Sequence, residues 1–136
     1  MGATMEIAIW QYLLYLKYFA VALVMLVAFA FLYIKITPAR ELTLIKGGNV
    51  ACAISLSGAL IGFCITLVSS MLHSVGMVSF VIWGVAAAIV QILVYFAATH
   101  LIKDANQELQ NNNTAVGILF FGLSVSIGIL NAASLS

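Results

Sequence analysis

Charge is what this chain has least of. Five Lys/Arg and four Asp/Glu among 136 residues make up 7% of the sequence. A soluble domain carries about a quarter charged residues, so a water-facing shell is excluded. No basic cluster is present, and the formal net charge of +1 gives none of the patch that nucleic-acid binding requires. Cysteine is limited to Cys52 and Cys64, in one apolar segment. Twelve residues of helix rise about 18 Å, too far for a disulfide, so both are read as small core residues. The N-terminus lacks the basic start of a signal peptide, and its first apolar run is expected to stay in the mature protein. No Cys/His cluster, nucleophile elbow or phosphate loop occurs. Neither a metal, a cofactor nor an enzymatic activity is therefore expected.

Apolar length is abundant instead. Hydrophobic residues account for 65% of the chain, and mean hydropathy is +1.20. A bilayer core of about 30 Å takes about 20 apolar residues as a helix. Four stretches qualify: about 12–34, 49–73, 80–102 and 113–135. The runs are continuous, without the alternation of a strand. The expectation is an all-α integral membrane protein, a single domain over 1–136, with four spanning helices and both termini on one side.

The breaks between spans differ in charge. The segment 35–48 holds Lys35, Arg40, Glu41 and Lys46, and 103–112 holds Lys103, Asp104 and Glu108, whereas 74–79 has no charge. By the positive-inside rule the charged loops face the cytoplasm and both termini the periplasm. Lys17, within the first helix, can snorkel outward. Trp10, Tyr12, Tyr15 and Tyr18 read as the outer aromatic belt and Tyr33 as an inner marker. Thr37-Pro38 reads as a helix start, so 39–46 is expected as a short interfacial helix on the cytoplasmic face.

Shifted by 64 residues, the chain matches itself: Asn49 meets Asn113, Ala51 meets Ala115, Ile54 meets Ile118 and Gly58 meets Gly122. Each unit, about 12–73 and 80–135, is a helical hairpin. Two such units imply a parallel repeat about a pseudo-twofold axis along the membrane normal. Lys35-Ile36-Thr37-Pro38, Glu41, Leu44-Ile45-Lys46, Asn49, Ala51, Ser57-Gly58, Gly62, Gln91, Asn112-Asn113-Thr114-Ala115 and Asn131-Ala132-Ala133 resemble the YjfL-like bacterial inner-membrane family, domain of unknown function 350. The resemblance covers about three quarters of the chain and is weakest in the first helix. It implies repeated two-helix units in the inner membrane. Relatives' gene neighbours, phage-shock-protein-A-like membrane-remodelling proteins and ATP-grasp ligases, imply a part in envelope maintenance and a soluble cytoplasmic partner of the phage-shock-protein-A type.

Candidate residues fall into three groups. Ala51, Ser55, Gly58 and Gly62 form a small-residue face on the second span, with a Gly-x-x-x-Gly pair that permits close backbone approach. The fourth span has two small faces, Ala115, Gly122, Ser126 and Ala133 on one, and Gly117, Ser124, Gly128 and Asn131 on the other. Two faces suit a central helix or a subunit interface, and hence a homo-oligomer. Ser and Asn of these helices also suit the lining of a narrow hydrated path. Gln91 and Asn131 are polar groups at membrane depth, serving as inter-helix glue or as contacts to a substrate or ion. Asn49 and Asn113 suit N-caps. Together with Lys46 they also suit an anion site at two helix starts, for a phosphate or anionic lipid headgroup. Arg40 and Glu41 extend this cytoplasmic face toward a protein partner. No carboxylate lies within a span, which argues against a proton-driven pump.

The sequence thus points to a non-enzymatic homo-oligomeric anchor or lipid- and partner-binding module, with a small channel or transporter as the rival.

Overall fold

The computed structural model describes residues 2–37 and 41–135, with side chains for 8–37 and 42–135. It is all-helical over them: α1 Gly2–Ile36, α2 Glu41–Lys46, α3 Val50–His73, α4 Met77–Leu101, α5 Ala105–Gln110 and α6 Thr114–Ser134. Four segments are long and apolar enough to cross a membrane: Ala8–Ile36, Val50–His73, Met77–Leu101 and Thr114–Ser134. These match the expected spans within a few residues, except that α1 starts earlier. The charged segment 103–112, read as a plain loop, contains α5. Pro38 and Arg40 lie outside the described residues, as does the side chain of Glu41, which opens α2.

Both short helices end in the same way. After α2, Gly48 takes φ 94°, Gly48 N donates to Ile45 O at 2.9 Å, and Asn49 N donates to Leu44 O at 2.9 Å. After α5, Asn112 takes φ 62°, Asn112 N donates to Leu109 O at 3.1 Å, and Asn113 N donates to Glu108 O at 2.9 Å. A left-handed residue with this bond pair is the Schellman stop. Glycine and asparagine are the residues that adopt it at least cost. Asn49 and Asn113 follow in near-identical extended geometry, φ −76° and −77°, and start α3 and α6.

α3 and α6 form the inner pair and share the largest contact of any two helices. α4 packs on both, and α1 lies outside against α3 and α4. Ring contacts tie α1 in place: Tyr18 tilted on Phe80 at 5.6 Å, Phe29 stacked on Phe63 at 4.4 Å and Tyr33 edge-on to Tyr95 at 5.5 Å. Tyr18 to Phe80 and Tyr33 to Tyr95 keep one register, so α1 and α4 run parallel. In that register residues 2–14 of α1 precede the start of α4, and at about 1.5 Å per residue they extend roughly 20 Å beyond it. Trp10 and Tyr12 are exposed there, as is Tyr15 level with the start of α4. Tyr33 is not an interface marker: it is 2% exposed, because the ring cluster of Phe29 and Tyr95 encloses it.

Candidate functional site

The seam between α3 and α6 is built from backbone meeting backbone. A Cβ added at Gly58 would stand 2.5 Å from Phe121 Cα, and one at Gly62 would stand 2.5 Å from Ser124 O. From the other side, a Cβ at Gly117 would meet Ala51 O at 2.5 Å, and one at Gly128 would meet Gly62 Cα at 2.6 Å. Lipid tails are as apolar as Leu, so contact this close is what holds two helices together in a bilayer. Ala51, Ser55, Gly58 and Gly62 all lie buried in this contact region.

On α6 only one of the two small faces takes part. Gly117, Ser124 and Gly128 are buried, whereas Ala115, Gly122 and Ser126 are exposed, and nothing lies within 4 Å of a Cβ built on Gly122. A twofold relation would apply the same face of both helices, bringing Gly122 and Ser126 into the seam opposite Gly58 and Gly62. The contact is instead between unlike faces, so the pseudo-twofold expected from the repeat does not describe it.

Hydroxyls of α3 donate to backbone carbonyls, those of Thr66 and Ser69 across the seam to α6 and that of Ser70 to α4. Thr66 Oγ1 donates to Gly62 O at 3.1 Å and to Gly128 O at 3.0 Å. Ser69 Oγ donates to Ala132 O at 2.6 Å, and Ser70 Oγ to Phe80 O at 3.2 Å. Gln91, 1% exposed, reaches from α4 over the seam, where its Nε2 donates to Ser124 O at 3.4 Å. Its Oε1, Ser55 Oγ and Asn131 Nδ2 are buried without a hydrogen-bond partner. Thr66 was not among the expected residues. Its signal was available, since it continues the stripe of Gly58 and Gly62 by one helical turn.

At the charged end, Asn49 joins three elements. Its Oδ1 accepts from Cys52 N at 2.9 Å, capping α3, while its Nδ2 donates to Leu109 O at 2.9 Å and Gln110 O at 3.1 Å. Asn112 Oδ1 accepts from Ala51 N at 3.0 Å. The amides of Ala51 and Cys52, in the first turn of α3, are therefore paired within the protein. Asn113 holds the N-cap position of α6 without a side-chain cap bond. Its Nδ2 donates instead to Glu108 Oε2 at 2.8 Å. Tyr95 adds to this end by donating its hydroxyl to Asn106 Oδ1. Lys46 is exposed at the last turn of α2. Among the described residues no three metal-ligating groups converge.

Three comparisons bear on this arrangement. The family model for the Domain of Unknown Function DUF350 matches residues 7–135. The UPF0719 inner membrane protein YjfL of Escherichia coli K12 is 34% identical over 119 residues, 88% of this chain and 90% of that protein. The UPF0719 transmembrane protein YshE of Bacillus subtilis is 28% identical over 120 residues, 87% of this chain and 90% of that protein. No solved structure matches the chain.

Proposed function

Given that the chain belongs to the DUF350 family, we propose that it is a non-enzymatic, multi-pass inner-membrane protein that assembles with copies of itself. In that assembly it acts as a membrane anchor or lipid- and partner-binding module in envelope maintenance. Its hairpins are two copies of one unit. Supporting this, α2 and α5 stand 64 residues apart with equal lengths and equal stops. The charged loops face the cytoplasm and both termini the periplasm, which follows from the distribution of Lys and Arg. The relatives' naming as inner-membrane and transmembrane proteins agrees with this placement.

One observation carries the module reading over the channel: the hydroxyls of Thr66 and Ser69 are committed to carbonyls of α6. A path for ions or polar solutes needs such groups facing a lumen. Here they close the seam. The cytoplasmic face then carries recognition, through Arg40, Glu41, Lys46 and the turn Asn111–Asn113. There a soluble partner or an anionic lipid engages groups outside the span. The Gram-negative relative's setting and the gene neighbourhoods implied by the resemblance favour a membrane-remodelling protein of the phage-shock-protein-A type.

Extraction from membranes at native expression, followed by native mass spectrometry, tests the proposal. A defined oligomer carrying a soluble protein or anionic lipid in fixed ratio is expected. An oligomer without either, together with ion or solute flux in proteoliposomes, would replace it with the channel.

A further inference from the structure

The seam between α3 and α6 leaves two matching halves unused. On α3 the engaged face is Ala51, Ser55, Gly58, Gly62, Thr66 and Ser69, all buried. Their equivalents 64 residues later, Ala115, Leu119, Gly122, Ser126, Leu130 and Ala133, are all exposed. The face that α6 turns to α3 includes Gly117, Ser124 and Gly128, all buried. Their equivalents on α3, Ala53, Leu60 and Cys64, are only half-buried, and their neighbours Ser57, Ile61 and Val68 are exposed. One face of each unit meets the other face of the next. A contact between unlike faces leaves one free half at each end, so it propagates.

We infer that the exposed face of α6 docks on the free face of α3 in a second copy of this chain, repeating between chains the seam found within one. The inference rests on the repeat and self-assembly readings above, and it specifies the contact. Gly58 on Phe121 translates into Gly122 on Ser57 of the next copy. Gly62 on Ser124 and Gly128 translates into Ser126 on Leu60 and Cys64. The outer helices support the same continuation independently of the small-residue faces. α4 packs against both members of the seam, while α1, its counterpart in the first unit, packs against α3 with only a small contact. Beside α1 an open apolar groove of about 360 Å³ runs along Phe19, Leu23, Leu26, Cys64 and Val68, on the side where the incoming α6 would lie. The docked helix gives α1 contact with a second seam helix besides α3, as α4 already has with α3 and α6. The product is a head-to-tail row of hairpins in the membrane plane, closing into a ring if the rotation per copy allows.

Cysteine cross-linking in native membranes tests this. Cys64 is present already, and Ser126→Cys supplies the other partner. Within one chain Ser126 lies on the side of α6 turned away from α3. Oxidation should therefore give a ladder of dimers and larger species on a non-reducing gel, lost in Ser126→Cys with Cys64→Ala. Gly122→Leu in the Ser126→Cys background should also abolish the ladder. The thermal midpoint of the extracted single chain should stay unchanged, because nothing lies within 4 Å of that position. Cross-linking that stops at dimers and survives Cys64→Ala would mean face-to-face pairing of α6 and would overturn the inference. If no cross-link forms although native mass spectrometry finds an oligomer, this contact fails and self-assembly stands. A monomer in both measurements removes the two together.

Discussion

Gly128 rests on Gly62: a Cβ on Gly128 would stand 2.6 Å from both Gly62 Cα and Gly62 O. The two helix backbones touch here, and Thr66 Oγ1 donates to the carbonyls of both glycines. Any side chain at either position has backbone in its way, which cannot rotate aside as a flexible side-chain end can. Gly128→Val should therefore force α3 and α6 apart and cost about 2–3 kcal/mol, at the upper end for overpacking. Gly122→Val, on the open face of the same helix, should leave the single chain within about 0.5 kcal/mol of the parent, since nothing lies within 4 Å of the new Cβ and valine is no worse a helix former than glycine. Thermal unfolding of the two variants in the same detergent, read by circular dichroism, checks the contrast.

Asn49 and Asn113 have the same backbone geometry and unequal work. Asn49→Ala removes the cap on Cys52 N, for about 1 kcal/mol, and the amide bonds to Leu109 O and Gln110 O, for about 1 kcal/mol more, since Leu109 O keeps its bond from Asn112 N. Asn113→Ala removes one partly exposed bond to Glu108 and no cap, for about 0.5–1 kcal/mol. Asn49→Ala should accordingly lower the thermal midpoint by several degrees more than Asn113→Ala. Equal losses would mean that α5 is not held by Asn49.

Residues whose role is set by local chemistry were legible in the sequence. The four spans follow from apolar length, the cap at Asn49 from its place before an apolar run, and the close approach at Gly58 and Gly62 from their spacing. Partner choice was not legible. Both faces of α6 carry small residues, and only the fold decides that Gly117, Ser124 and Gly128 meet α3 while Gly122 and Ser126 do not. Tyr33 shows the same limit, since an aromatic near a span end suits a lipid interface until Phe29 and Tyr95 enclose it. α5 is not legible in the sequence, because six mostly polar residues are too few to display a helical period. Its equivalence to α2, 64 residues earlier, was the available signal.

Orientation is open to direct labelling. Val75 lies in the turn between α3 and α4 and is 97% exposed, and Asn111 is exposed in the turn after α5. On the proposed topology, with the charged connections in the cytoplasm, the α3–α4 turn lies on the opposite, periplasmic side with the termini. In a background with Cys52 and Cys64 replaced by Ala, Val75→Cys should react with a membrane-impermeant maleimide in intact spheroplasts. Asn111→Cys should react only after permeabilisation. The opposite pattern would invert the topology and move the proposed recognition face to the periplasm.

Gln91 separates packing from a polar path. Its one hydrogen bond, to Ser124 O, is 3.4 Å long, and its Oε1 is buried without a partner. Such a group is a poor structural fastener, since a long bond contributes little and a buried acceptor left unpaired costs about 1–3 kcal/mol. Gln91→Met keeps nearly the same volume and removes the unpaired oxygen. A volume-conserving swap costs under about 1.5 kcal/mol, which the lost penalty offsets. The thermal midpoint of Gln91→Met should thus equal or exceed that of the parent, and the oligomer should be retained. Gln91→Ala should fall by about 2–3 kcal/mol, through the cavity it opens beside Gly62. If Gln91→Met were as stable as the parent yet abolished a measured flux, Gln91 would face a permeating species and the channel would take precedence. With stability retained and partner co-purification unchanged, Gln91 fills space at the seam, and recognition is left to the charged end.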